Sequence, residues 1–136
     1  MTDEKRFRML VIPDDGRQGY VQYVEDSLET FEQIIGADCL DMVTRSIGGR
    51  RYTILVDDCG LLKARPITAI HSVGYPEPML VGTIIITKVN RTGDEFEDLT
   101  DEDLAHISEN TAQIHHCPVI YDLDYARPIQ IGRAHV

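Results

Sequence analysis

The first third of the chain alternates between apolar and polar residues in a way that predicts two short strands and a helix. The apolar run Phe7–Ile12 predicts a strand, and Tyr20–Val24 has the alternation of a second, half-buried strand. Asp26 or Ser27 then caps a helix whose apolar residues share one face. Gly36 ends this helix at the position where a left-handed residue is favoured.

The middle of the chain predicts an antiparallel hairpin. The apolar-rich segments Cys39–Ile47 and Arg50–Asp57 flank the pair Gly48-Gly49, which suits a two-residue turn with positive φ. A turn of that length places Arg45 opposite Tyr52, so the register of the two strands follows from the turn.

The second half predicts one strong strand, a second helix and an apolar tail. Leu80–Val89 is rich in β-branched residues and predicts a strand. Thr100 and Asp103 have the spacing of a capping box, which predicts a helix from there to about His115. The segment Cys117–Gln130 lacks a clear period, so it could add an edge strand or pack against a partner chain.

These elements predict one α+β domain over residues 1–130, mainly an antiparallel sheet with two helices. The remaining residues 131–136 resemble the translated read-through of a common sequencing adapter. We therefore expect those six residues to carry no function.

Composition and charge limit the classes of function. The chain has 136 residues, with 13 Lys and Arg against 23 Asp and Glu, and a formal net charge of −10. Such a chain lacks the broad basic surface that general nucleic-acid binding requires. Its 3 cysteines contain no CxxC pair. Its longest apolar run is far shorter than the ~20 residues that span a bilayer. We therefore expect a cytoplasmic protein that binds neither membranes nor nucleic acid in general.

The charge is unevenly distributed along the chain. Residues 44–91 carry seven basic and three acidic side chains, whereas residues 1–43 and 92–136 have net charges of −6 and −8. Arginine binds phosphate and carboxylate through paired hydrogen bonds, and tyrosine rings stack on bases. The central region therefore predicts a pocket for a small anionic, nucleotide-like ligand, formed by Arg45, Arg51, Tyr52, Lys63, Arg65 and Tyr75. The alternative is that these cations are exposed strand-edge residues that oppose aggregation.

Catalytic and metal-binding patterns are weak. His115, His116 and Cys117 are metal-ligand types, but adjacent residues do not easily converge on one ion. The pair Asp57-Asp58 is better explained by a turn, where an aspartate bonds its own backbone. No glycine-rich phosphate loop, nucleophile elbow or HExxH motif occurs. We therefore predict a non-enzymatic protein without a cofactor or a metal.

Seven acidic residues lie in the run Asp94–Asp103, before and inside the second helix. The last three of these residues lie in the first turn of the predicted helix, where the positive end of the helix dipole stabilises negative charge. The run as a whole is either a solvated face or an acidic surface that imitates nucleic acid.

Three stretches together resemble an uncharacterised domain family that is common in bacteriophages and other mobile elements of bacteria. They are Glu25–Gly36, Val56–Lys63 and Val81–Thr83, whose order and spacing match the family's helix, acidic-glycine turn and late strand. Ala37 stands where the family usually has a second glycine. Thr68 stands where it usually has the Asn of a Leu-Pro-x-Asn segment.

The resemblance implies a phage-encoded accessory protein and supplies no activity. Small phage accessory proteins are often counter-defence factors, some of which are sponges that capture a signal without cleaving it. By this analogy we expect a sponge for a small anionic, nucleotide-derived signal in the host bacterial cytoplasm, with Thr68 among its ligand-binding residues. Sponges often bind across subunit interfaces, so we also expect a homo-oligomer. The alternative is an acidic inhibitor that binds a host nucleic-acid or defence enzyme.

Overall fold

The fold is known from a computed structural model. It describes residues 5–15, 17, 19–60, 62–63, 65, 67–71, 79–114 and 117–120. The candidate ligand-binding residue Tyr75, the pair His115-His116 and the predicted adapter tail 131–136 lie outside the described residues.

The described residues form strands and two helices in the order β1 Arg6–Ile12, β2 Tyr20–Glu25, α1 Leu28–Ile35, β3 Leu40–Ile47, β4 Arg50–Asp57, β5 Ile67–His71, β6 Met79–Val81, β7 Ile84–Val89, β8 Phe96–Glu97, α2 Asp101–Glu109, β9 Thr111–Ile114 and β10 Cys117–Ile120. The main sheet has the order β2-β1-β7-β4-β3, and β8 pairs with β7. A second sheet has the order β6-β5-β10-β9, in which β5 and β10 are parallel and the other pairs antiparallel. The predicted α+β class is confirmed.

The main sheet is covered on both faces, because its alternate side chains belong to two different cores. On one face, Met9 of β1 packs with Phe31 and other residues of α1. On the other face, Ile86 of β7 packs with Leu99 and with Ile107 of α2. The central strand β7 is therefore apolar at consecutive positions, as expected for a strand buried on both sides.

The predicted hairpin is confirmed in both its turn and its register. Arg45 pairs with Tyr52, and Gly48 and Gly49 have φ values of 58° and 84°. The turn lies against the end of α2, where a Cβ at Gly48 would overlap the side chain of Asn110. The end of the hairpin and the end of α2 are thus packed together.

Both helices begin where the sequence predicts, although one of them ends earlier than predicted. Ser27 is the N-cap of α1, and Gly36 ends that helix with a φ of 75°. Thr100 and Asp103 form both halves of the capping box. The predicted extension of α2 to His115 is wrong, because the helix ends at Glu109 and the next residues form β9 in the second sheet.

Two further predictions are corrected by the second sheet. The predicted strand Leu80–Val89 is interrupted at Gly82, whose φ of 76° lets the chain pass from β6 in one sheet to β7 in the other. The segment from Cys117 does form a strand, but β10 lies between β9 and β5 rather than at an edge. Both differences arise from long-range strand pairing, which residue periodicity does not encode.

Candidate functional site

The predicted ligand-binding cations lie in two groups at opposite ends of β4. Arg51 lies near the start of the strand, and Arg45 is on the neighbouring strand at the same end. Lys63 and Arg65 follow the other end and contact Asp57. The strand between Arg51 and Asp57 spans roughly 20 Å at ~3.3 Å per residue. One small ligand therefore cannot contact both groups within a single chain.

Tyr52 belongs to the core, where its ring is 2% exposed. Its hydroxyl group donates a hydrogen bond of 3.0 Å to Oδ1 of Asp103. The stacking role predicted for Tyr52 therefore has no exposed ring face through which to act.

Arg65 is the centre of a compact ionic cluster that joins three parts of the chain. Its Nη1 donates to Oδ2 of Asp57 at 2.9 Å, and its Nη2 donates to Oδ2 of Asp14 at 3.1 Å. The same Nη2 donates to the carbonyl oxygen of Ile35, at the end of α1, at 2.8 Å. We call Arg65, Lys63, Asp57 and Asp14 the Arg65 cluster.

Lys63 and Arg65 share one carboxylate oxygen. Nζ of Lys63 lies 3.0 Å from Oδ2 of Asp57, whose side chain is fully buried. The other oxygen of Asp57 accepts the backbone amide of Cys59 at 2.9 Å, which forms the predicted turn. Burial opposes ionisation of Asp57, but the hydrogen bonds from Arg65 and from the Cys59 amide outweigh it. They hold the pKa of this carboxyl group below its ordinary value.

Gly82 forms the surface on which the guanidinium group of Arg65 lies. A Cβ at Gly82 would be 2.7 Å from Nε of Arg65, so any side chain there would displace the arginine. The hydroxyl group of Thr68, which is 2% exposed, donates to the carbonyl oxygen of Gly82. Thr68 thus fixes the backbone against which Arg65 is packed.

The three stretches that carry the family resemblance meet at this cluster. Glu25–Gly36 supplies the carbonyl of Ile35, Val56–Lys63 supplies Asp57 and Lys63, and Val81–Thr83 supplies Gly82. Three of the predicted ligand-binding residues, Lys63, Arg65 and Thr68, are therefore brought together. Sequence reasoning missed Asp14, because no local pattern links it to Arg65.

Residues 7–112 of the chain match DUF3846, a domain of unknown function. The chain belongs to the DUF3846 family. No curated protein and no solved structure matches the chain. The matched part of this DUF3846 domain includes every member of the Arg65 cluster.

A second ionic network, also inside the DUF3846 match, surrounds Asp103 of α2. Its Oδ2 accepts hydrogen bonds from Nζ of Lys88 at 3.1 Å and from the Thr100 amide at 2.9 Å. Its Oδ1 accepts a hydrogen bond from the hydroxyl group of Tyr52. Burial opposes ionisation, but the hydrogen bonds from Thr100 and Lys88 dominate and lower the pKa of Asp103 to about 2. Burial and the bond to Asp103 raise the pKa of Tyr52 to about 12. The capping-box motif identified Asp103, but no local pattern indicated that Lys88 and Tyr52 bind its carboxylate.

The acidic run of this DUF3846 domain is divided between the Asp103 network and an exposed face. The exposed face, which we call the acidic surface, consists of Glu97, Asp98, Asp101 and Glu102. Asp101 pairs with Nη1 of Arg8 at 2.7 Å, yet its side chain is 91% exposed. These carboxylates therefore remain accessible to solvent.

Within the residues that the structure describes, no group of three or more His, Cys, Asp or Glu side chains is arranged to hold a metal ion. No helix in the same part of the DUF3846 domain is long and apolar enough to cross a bilayer.

Proposed function

We propose that this DUF3846 domain is a phage-encoded, non-enzymatic sponge that sequesters a small anionic, nucleotide-derived signal in the host bacterial cytoplasm. The observation that supports it best is the convergence of Lys63 and Arg65, whose cationic groups lie 3.0 and 2.9 Å from the same oxygen of Asp57. Two cationic side chains held at one point can bind a phosphate group together.

The Arg65 cluster is charge-balanced in the free protein, with two cations and two carboxylates. Asp57 is fully buried, whereas the side chain of Asp14 is 24% exposed and that of Lys63 is 41% exposed. An incoming phosphate would therefore replace Asp14 at Nη2 of Arg65 and contact Lys63 from the solvent side. Asp57 would stay in place and keep both cations oriented.

The proposed assembly is a homo-oligomer. The exposed side chain of Arg51 has no ion-pair partner among the described residues, and it lies too far from Lys63 to share a ligand within one chain. A second subunit would be needed for Arg51 to join the site. Native mass spectrometry of the purified protein measures the subunit number and any retained ligand together.

Calorimetric titration with a panel of linear and cyclic nucleotides tests the anion site. We expect heat of binding from at least one nucleotide, and about a tenfold weaker affinity in Lys63→Gln, because one charged hydrogen bond to phosphate is lost. Arg91→Gln is the matched control. Arg91 is an exposed arginine of the basic central region, residues 44–91, but it lies outside the Arg65 cluster. Absence of heat across the panel, or equal affinity of the Lys63 and Arg91 variants, would contradict the sponge.

We propose as a second candidate function that the domain inhibits a host nucleic-acid or defence enzyme through its acidic surface. The high exposure of Asp101 and Glu102, at 91% and 79% of their side chains, favours it. Pull-down of a basic host protein should be lost when Glu97, Asp98 and Asp101 are changed to their amides. Asp98→Asn keeps an acceptor for the backbone amide of Arg8, so the fold is expected to persist.

A further inference from the structure

A depression beside the apolar core that packs against α1 combines an apolar floor with an acidic rim. Its volume is about 170 Å³. Its lining residues are Asp26, Met42, Val89, Gly93, Asp94, Glu95 and Phe96. This volume is below the roughly 300–1,000 Å³ of small-molecule sites, so it suits one long side chain rather than a nucleotide.

The floor of the depression is partly rigid and partly adaptable. The ring of Phe96 lies 6.1 Å from that of Phe7 and 5.7 Å from that of Phe31, which fixes its position. Met42 lies on the edge strand β3 and is 61% exposed, although methionine is usually buried. A flexible thioether beside a fixed ring can adapt to an aliphatic side-chain stem.

The acidic rim differs from the acidic surface in its ion pairs. Asp26, Asp94 and Glu95 have no ion-pair partner among the described residues, whereas Asp101 and Glu102 pair with arginines. The carboxylate of Asp94 is held in place by hydrogen bonds from the side chains of Asn90 and Thr92. A cation that enters the depression therefore meets an oriented carboxylate, and little ordering is needed on binding.

We infer that this depression receives an arginine side chain from a basic protein partner, with its stem on Met42 and Phe96 and its guanidinium group among the three carboxylates. Arginine fits better than lysine because its planar group stacks on aromatic rings and binds carboxylates through paired hydrogen bonds. The inference rests on the second proposed function and identifies an anchor residue for that partner.

Titration of the ¹⁵N-labelled full chain with a blocked Gly-Arg-Gly peptide, followed by NMR, tests the inference. We expect saturable shifts of the amide signals of Met42, Gly93 and Glu95, with a Kd in the millimolar range that one side chain typically gives. A peptide with the neutral isostere citrulline should cause no such shifts. The lysine peptide should bind several-fold more weakly than the arginine peptide.

Matched variants locate the contact. Glu95→Gln and Met42→Ala should each weaken the arginine peptide several-fold, whereas Glu29→Gln, which neutralises an exposed acid on α1, should not. Because Met42 and Glu95 are exposed, signals away from the depression should be unchanged, which verifies the fold. Equal binding by Glu95→Gln, equal binding of the citrulline peptide, or peptide-free shifts that grow with protein concentration and indicate a second copy would overturn the inference.

Two further outcomes separate this inference from the function on which it rests. Shifts confined to the signals of Asp101 and Glu102 would overturn the depression as the anchor site and leave the acidic surface as the docking site. If neither the arginine peptide nor any basic protein binds the full chain, the second proposed function fails as well.

Discussion

Arg65 lies directly on Gly82, with its Nε 2.7 Å from the position that a Cβ of residue 82 would take. Gly82 also has a φ of 76°, in the left-handed region. One glycine therefore serves two purposes, because it lets the chain pass between the sheets and leaves room for the central cation of the Arg65 cluster.

Gly82→Ala is expected to destabilise the domain by about 2–4 kcal/mol, from left-handed strain plus overlap with Arg65. Gly93→Ala is the matched control, since Gly93 has a φ of 80° but no atom within 4 Å of its Cβ position. That variant should lose only the strain, roughly 1–2 kcal/mol. Urea denaturation measures both, and equal losses would show that the contact with Arg65 has no energetic weight.

Arg65→Met is expected to cost about 3 kcal/mol or more, because the fully buried carboxylate of Asp57 keeps only Lys63 as a charged partner. Combining it with Asp57→Asn should recover part of the loss, since the buried carboxylate charge is then absent. Free energies of unfolding for the two single variants and the double variant give the coupling. Strict additivity would mean that the two side chains do not interact.

Asp103 makes stability depend on pH in the acidic range. Its folded pKa of about 2 is below the ordinary value of 3.8. Its contribution to the free energy of unfolding is therefore complete above pH 4 and is lost as the pH falls towards 2. The shift corresponds to about 2 kcal/mol. The difference in unfolding free energy between the wild type and Asp103→Asn should therefore be constant from pH 5 to 7 and shrink below pH 4. A difference that does not change with pH would contradict the assignment.

Tyr52 has the opposite dependence at alkaline pH. Its folded pKa of about 12 exceeds the ordinary value of 10. Its contribution to the free energy of unfolding is therefore complete below pH 10 and is lost as the pH rises towards 12. The phenolate absorbance of the wild type minus that of Tyr52→Phe should show one ionisation near pH 12. Tyr23→Phe is the control, because Tyr23 is 57% exposed. A Tyr52 transition near the ordinary value of 10 would contradict its burial against Asp103.

Local features of the fold could be predicted from the sequence, whereas its long-range features could not. The Gly48-Gly49 turn fixed the register of β3 and β4, and the capping residues marked the starts of both helices, because each signal lies within a few residues. The interruption at Gly82 and the C-terminal end of α2 depend on which strands pair across the chain. No periodicity within one segment contains that information.

The same limit applies to the candidate site. Lys63, Arg65 and Thr68 are close in the sequence and were predicted together, and the structure brings them together. Their partners come from distant segments, namely Asp14 from the loop after β1 and the carbonyl of Ile35 from α1. A charge count also grouped Arg51 with Lys63, although the length of β4 separates them.

The central position of β7 has a consequence for how the chain folds during synthesis. β7 joins β1 to β4, with Leu10 opposite Ile86 and Ile54 opposite the same residue. The hairpins β1–β2 and β3–β4 therefore emerge from the ribosome without the strand that connects them. Closing such long loops is slow compared with forming a local hairpin. The two hairpins are joined only after Val89 has emerged, and until then their inner edges are exposed to other chains and to chaperones.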